Sequence, residues 1–254
     1  MITVIKLGGR VQSDPALITS LRQRWRGAPG TLCVVHGGGD EISALQRQLG
    51  REPSFVNGRR ITTSEDIDLV RMVLSGSANK RLVSALSAAG VPSVGISGED
   101  GGMISAEPID AERFGRAGKP TSVNPIVIES LLASLFLPVI SPVGIDSTSD
   151  EGAALNVNGD DASAAIAAAL GAELLLVADV AGVMDSSRSL IRSLDQQQVD
   201  ALVADGTVNQ GMHAKLEAGF AALSGGASRV RIGGLDMICG QDSGTLLSLT
   251  PSMK

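Results

Sequence analysis

Short apolar runs alternate along this 254-residue chain with longer stretches whose apolar positions recur every three or four residues. The short runs predict strands over residues 2–7, 32–35, 94–96, 138–141, 174–178 and 229–232. Helical spacing appears over 14–25, where Leu17, Ile18, Leu21 and Trp25 share a face behind a Ser13 N-cap and Pro15. It recurs over 41–49, with Ile42, Leu45 and Leu49 inward and Gly50 as the stop. A long helix starts near Thr63 or Ser64, carries Glu65 and Asp66 in its first turn, kinks at Gly76 and ends near Gly90. Before it, residues 55–57 and 60–62 flank a turn at Gly58. Further helices are expected over 126–135, 162–170, 199–205 and 213–223. Residues 101–125, polar and broken by Gly and Pro, predict a hairpin or excursion, and 148–151 a loop. Strand–helix alternation of this kind means an α/β fold with a parallel sheet and right-handed crossovers. The pattern shifts near residue 170, which predicts two lobes sharing one continuous sheet.

Composition narrows the function. A chain that is 43% hydrophobic and 19% charged folds as an ordinary globular protein. Four Phe, one Trp and no Tyr leave few faces for base stacking, and a net charge of −6 opposes a phosphate backbone. Nucleic acid is therefore not the expected partner, and any anion site must be local. Cys33 and Cys239 form no CxxC pair, so neither a zinc site nor a disulfide is expected. The longest apolar stretch, 162–178, is interrupted by Gly171 and Glu173, and Lys6 and Gly8–Gly9 break the first apolar run. A soluble cytoplasmic protein with small-molecule substrates and no membrane contact is the expectation.

Candidate chemistry lies where strands end. "KLGGR" (Lys6 to Arg10) and "HGGGD" (His36 to Asp40) both put glycines at a strand-to-helix turn. There a backbone without Cβ lets a ligand approach, and the next helix aims free N–H groups at it. A lone glycine pair is usually only a tight turn; three glycines after His36 exceed what a turn needs. His36 itself reads as a packed or hydrogen-bonded side chain, not a base. Neither GxxxxGK[ST] nor GxGxxG occurs at these turns, so the P-loop and dinucleotide schemes are excluded. In "LNVNGDDAS", Asn156, Asn158 and Asp160 alternate along an extended segment and are expected to share a face, with Asp160 or Asp161 capping the next helix. Turn-forming and capping are the plain alternative for these residues. Lys215, in "NQGMHAK", reads on its own as a solvated surface charge.

Taken together, "KLGG", "HGGG", "FVNGRRIT", "GISGEDGG", "LNVNGDDAS", "ADVAGVM" and "GMHAK" stand in an order and spacing that resembles the amino acid kinase family, most closely its acetylglutamate kinase branch, over essentially the whole chain. The resemblance implies a three-layer αβα sandwich around a mostly parallel central sheet. An N-terminal lobe, 1–170, would bind the amino-acid substrate and dimerise, and a C-terminal lobe, 171–254, would bind ATP. The implied reaction moves the γ-phosphoryl group of ATP to the side-chain carboxylate of N-acetyl-L-glutamate, a step of arginine biosynthesis. Lys6 and Lys215 match the two lysines that approach the transferring group, and Asp160 the aspartate that holds them. Gly8 and Gly9 match a phosphate cradle, and Gly38 and Gly39 a cradle that also meets the substrate. Arg60 matches the arginine for the substrate's α-carboxylate, and Asn156 a substrate-binding asparagine, with Asn158 beside it. Asp179, Val180, Ala181, Gly182, Val183 and Met184, with Thr207, Val208 and Asn209, match the lining of the nucleotide site. Mg²⁺ would ride on the phosphates, with no protein metal site.

Arg10, Gly159 and Asp161 depart from the family's usual residues, and some features are shared with kinases of carrier-linked aminoadipate or glutamate. The short "FVNGRRIT" loop is similar to that of enzymes acting on a free acylated amino acid; whether acetyl or succinyl stays open. The chain begins directly on its first strand, so a homodimer without arginine feedback is expected. A non-catalytic oxyanion- or amino-acid-binding protein is the competing class, and retention of Lys6, Asp160 and Lys215 together favours the kinase.

Overall fold

All six predicted strands enter one sheet. In the computed structural model, which describes residues 1–56, 58–240 and 243–249, the chain opens with β1 (Thr3–Leu7), α1 (Leu17–Gly27), β2 (Leu32–Val35) and α2 (Gly39–Gln48). A small hairpin, β3 (Phe55–Val56) and β4 (Arg59–Arg60), precedes α3 (Asp66–Arg71), a π-helical stretch at Met72–Ala78 and α4 (Asn79–Ala88). Next come β5 (Ser93–Ser97), β6 (Ile104–Pro108), α5 (Ala111–Phe114), β7 (Ala117–Val123), α6 (Ile126–Ala133), β8 (Leu137–Ser141), β9 (Val143–Asp146) and β10 (Ala154–Val157). The remainder is α7 (Gly159–Ala169), β11 (Glu173–Val177), β12 (Ser193–Leu194), α8 (Gln196–Ala204), α9 (Gln210–Ser224), β13 (Arg229–Gly233) and β14 (Thr245–Leu247).

The main sheet has eight strands in the order β12-β14-β13-β11-β1-β2-β8-β5 among the described residues. Neighbouring pairs are parallel except β13–β14. Strands from before residue 170 fill one half and those after it the other, and the halves join where β1 pairs with β11. Every residue of β1, β2 and β8 is buried, because helices cover both faces of the sheet. Val4, Cys33 and Leu176 pack on one face with Ala162, Ile166 and Phe220 of α7 and α9. Ile5, Leu7 and Val34 pack on the other with Leu21, Trp25 and Leu86 of α1 and α4. Side chains alternate along a strand, so Lys6 shares the face of Val4 and looks toward α7.

Several expectations are corrected. The first helix starts at Leu17, not near Asp14, and Ser13 does not cap it: Arg10–Ser13 form a 3₁₀ turn, and the Asp14 carboxylate instead accepts the Ala16 N–H at 2.8 Å. Leu49 is exposed, whereas Ser43 and Gln46 are buried on α2. Gly76 does not break its helix; the chain widens there into π geometry and continues. Asn57 of the expected 55–57 strand lies outside the described residues. The 101–125 excursion contains the expected β6–β7 hairpin, which then closes through β9 and β10 into a four-stranded barrel. Its interior is so tight that a Cβ on Gly118 would sit 2.7 Å from Leu155 Cβ.

Among the described residues no helix is long and apolar enough to cross a membrane, and both cysteines are free thiols. Burial in β2 pushes the Cys33 thiol up to about 12, while Cys239 is exposed. A thiol reagent at pH 8 should therefore label one cysteine in the folded protein and both in denaturant; two fast-reacting thiols in the folded protein would contradict this packing.

Candidate active site

Lys6 is the one charged residue of β1. Burying an ammonium group in a parallel sheet is costly unless a counter-charge reaches it. That charge comes from the first turn of α7, where Asp160 Oδ1 lies 2.9 Å from Lys6 Nζ. Asp160 is not the cap of its helix, as the sequence pattern suggested. Asn158 is, its side-chain oxygen accepting the Asp160 N–H at 2.8 Å. The extended segment ends at Asn158, so it is the helical turn and not strand alternation that delivers Asp160. Capping by Asn158 leaves both carboxylate oxygens of Asp160 free for lysines. Lys215 Nζ takes the second place, 3.1 Å from Oδ1 and 3.0 Å from Oδ2. Far from being a solvated surface charge, Lys215 is half-buried, held by α9, which starts where Asn209 caps the Met212 N–H at 2.9 Å.

One carboxylate between two ammonium groups leaves an unmatched positive charge. Burial alone would push the Asp160 carboxyl up, but Lys6 and Lys215 together hold it below the usual carboxylate range. Burial, reinforced by Lys215 and opposed by Asp160, draws the Lys6 ammonium below the usual lysine range. The cluster is suited to an incoming polyanion, which would restore full solvation by charge to both lysines.

The glycine turns open beside this cluster. The Gly8 N–H donates to Val177 O at 2.9 Å and so prolongs the β1–β11 ladder. A Cβ on Gly8 would press on that oxygen at 3.0 Å. Gly9 takes no part in the ladder. Gly39 opens α2, whose first-turn amides have no acceptor inside the helix and whose dipole favours an anion at this end. His36 is fully buried. Its Nδ1 donates to Gly37 O at 2.9 Å and its Nε2 accepts from Asn79 at 3.1 Å, a packed histidine as the sequence suggested.

Two cavities meet here. The smaller, about 180 Å³, is lined by Gly38 and Gly39, by Arg59 and Arg60, and by Asn156 and Asn158. The larger, about 750 Å³, is lined by Asp160, Asp179, Val180, Asn209, Met212 and Lys215. Gly58, Arg59 and Asn158 line both. Ala181, Gly182, Val183, Met184, Thr207 and Val208 do not line the larger cavity. Val183 is buried in the core, its N–H donating to Thr245 Oγ1 at 2.9 Å, and the Thr207 N–H donates to Asp205 at 2.9 Å. Asn156 donates to Thr62 Oγ1 at 2.9 Å.

Arg60 explains the polar face of α2. Its guanidinium donates to Gln46 Oε1, and at 2.7 Å to both Gly39 O and Ser43 Oγ, with the Phe55 ring 4.6 Å away. All its acceptors are neutral, and among the described residues it makes no ion pair. A buried guanidinium without a carboxylate is an invitation to one. Ser43 and Gln46 were missed in the sequence, although polar residues three apart beside Ile42 on a buried stripe were the available signal. Two of the departures also find contacts: Arg10 pairs with Asp179 at 3.1 Å, and a Cβ on Gly159 would approach Lys6 Cε to 3.2 Å.

The model of the amino acid kinase family matches residues 1–234. The chain belongs to that family. Among curated amino acid kinases, the acetylglutamate kinase of Geobacillus thermodenitrificans is 42% identical over 233 residues, 90% of this chain and 88% of that protein. The acetylglutamate kinase of Chloroflexus aurantiacus is 41% identical, with 91% of each chain covered. Among solved structures, smu.665 of Streptococcus mutans matches with a TM-score of 0.85 at 28% identity, covering 98% of this chain and 99% of that one. The αβα sandwich around a mostly parallel sheet is thus the amino acid kinase fold.

Proposed function

We propose that this protein is an acetylglutamate kinase, transferring the γ-phosphoryl group of ATP to the side-chain carboxylate of N-acetyl-L-glutamate. The observation that carries the reading is the pair of ammonium groups on one buried carboxylate, 2.9 and 3.0 Å away, between a small cavity with a free guanidinium and a larger one. Named relatives at about 40% identity over nine-tenths of the chain support the substrate.

The residues divide the work simply. Arg60 receives the α-carboxylate through its planar fork, and Asn156 and Asn158 meet the rest of the acid together with Gly38 and Gly39. Asp179, Val180 and Asn209 line the nucleotide side, with the 179–184 and 207–209 segments behind them. The attacking group is already a carboxylate, so no general base is needed. Transfer spreads negative charge over the equatorial phosphoryl oxygens, and Lys6, Lys215 and the Gly9 and Gly39 amides neutralise it. Asp160 holds both lysines in place between turnovers. Among the described residues no three His, Cys, Asp or Glu side chains converge, which fits a Mg²⁺ that enters on the triphosphate and offsets its charge. In this reading residues 1–170 hold the acid and a homodimer contact, residues 171–254 hold ATP, and the enzyme works in the cytoplasm.

A hydroxamate assay with ATP tests it: N-acetylglutamate should exceed N-succinylglutamate, N-acetylaminoadipate and free glutamate in kcat/KM. Turnover of none of the four would end the proposal, and preference for another acid would reassign the substrate. Arg60→Ala should raise the KM for the acid roughly 10- to 100-fold, since a charge-assisted hydrogen bond is worth about 1.5–3 kcal/mol, while kcat changes little. An unchanged KM would remove the carboxylate role.

A further inference from the structure

The two cavities are separated by a thin partition, and its make-up is specific to this chain. Besides Asn158, the residues that line both sides come from the tip of the β3–β4 hairpin: Gly58, at φ +75°, and Arg59. The hairpin pairs with no other strand. Its base is tied down, with the Ile61 N–H donating to Ser54 O at 2.9 Å and the Arg116 N–H to Thr62 O at 2.7 Å. Its tip reaches across to α7 through Arg59, whose Nη1 lies 2.9 Å from Asp161 Oδ2. Arg59 and Asp161 stand 102 residues apart in the chain. Both are partly shielded, with side chains 32% and 20% exposed.

Asp161 follows Asp160 in the first turn of α7, one residue from the carboxylate that organises the two lysines. An unpaired Asp161 would put a second negative charge next to the route of the phosphoryl group. We propose that Arg59 is a positioning residue: its ion pair with Asp161 latches the hairpin tip onto α7, closing the acid cavity over Arg60's ligand and cancelling the charge of Asp161 at the point of transfer. The inference rests on the kinase reading for its catalytic consequence, but the latch itself is a property of the unliganded fold. The chain's aspartate at 161 and arginine at 59 are then one device, each residue being unfavourable without the other. This distinguishes the latch from two independent surface charges, whose effects would multiply.

The test is a double-mutant cycle of Arg59→Met, Asp161→Asn and the combined variant. Each single change should raise the KM for N-acetylglutamate about tenfold, with kcat lowered more by Arg59→Met, which strands the carboxylate. The combined variant should recover kcat relative to Arg59→Met and show no further rise in KM. Multiplicative effects in the combined variant would overturn the proposal. A merely structural role would lower thermal stability without this split between KM and kcat. Amide hydrogen exchange over residues 54–61, in the protein without ligands, supplies a readout that needs no turnover. Exchange should rise several-fold in each single variant and no further in the combined one; unchanged exchange overturns the latch whatever the substrate. Failure of the wild-type protein to phosphorylate any of the four acids would instead overturn the kinase reading and leave the exchange result to decide the latch.

Discussion

Lys6→Ala is expected to lower kcat by about three orders of magnitude while moving the KM for N-acetylglutamate less than about threefold. The size follows from the position. Removing one preorganised donor from a transition-state oxyanion costs about 2.7–4 kcal/mol, and Lys6 is both charged and buried, so the upper part of that range applies. The direction follows from where the acid sits: Arg60 and the asparagines line its cavity, whereas Lys6 does not. An interaction absent from the ground-state complex and present in the transition state lowers kcat and kcat/KM together. Steady-state kinetics with both substrates varied reads the two effects apart. Lost affinity with normal turnover would move Lys6 out of the transfer step. Lys6→Arg should rescue little, because a guanidinium is longer and planar, and the space between Asp160 and the Gly159 backbone fits only the ammonium.

Much of this site could be read in the residues because its parts are local. A strand ending in glycines and a helix that follows is a pattern of a few neighbouring positions, and β1, β2, β8 and β11 appear where apolar runs put them. What escaped is of another kind. Ser43 and Gln46 look like solvent-facing residues until Arg60, from a different element, is laid on them. The four-stranded barrel escaped because β6 and β7 are polar in part and their closing partners, β9 and β10, come later in the chain. The ion pairs Arg59–Asp161 and Arg10–Asp179 join residues 102 and 169 positions apart, and no periodicity announces such a meeting. Asp160 shows the intermediate case. Its role was visible through resemblance, but the reason it is free to serve two lysines, capping by Asn158 in its stead, is visible only in the folded geometry.

Asp160→Asn should separate structural from chemical consequences at the same position. The amide has nearly the same shape but no charge, so Lys6 and Lys215 would face each other across a neutral group. Breaking a buried pair by removing one partner costs about 3–5 kcal/mol, although deprotonation of Lys6 limits the loss toward the lower figure. For a chain of this size that is a fall in Tm of roughly 10 °C at neutral pH. The acid side gives the sign. Asp160 titrates below the ordinary carboxylate range in the folded protein, so its contribution is present above that range and is lost as pH falls through the folded value. The variant lacks the contribution at every pH, and the gap in Tm between the two proteins should close as the solution is acidified. The alkaline side gives a second sign. Asp160 opposes the downward pull of burial on Lys6, so without it Lys6 loses its proton at a lower pH. The falling limb of kcat at high pH should therefore begin earlier in the variant, on top of a loss of about two to three orders of magnitude near neutrality. Equal Tm across pH, or an alkaline limb that stays where it was, would mean that the carboxylate does not hold the two ammonium groups in solution.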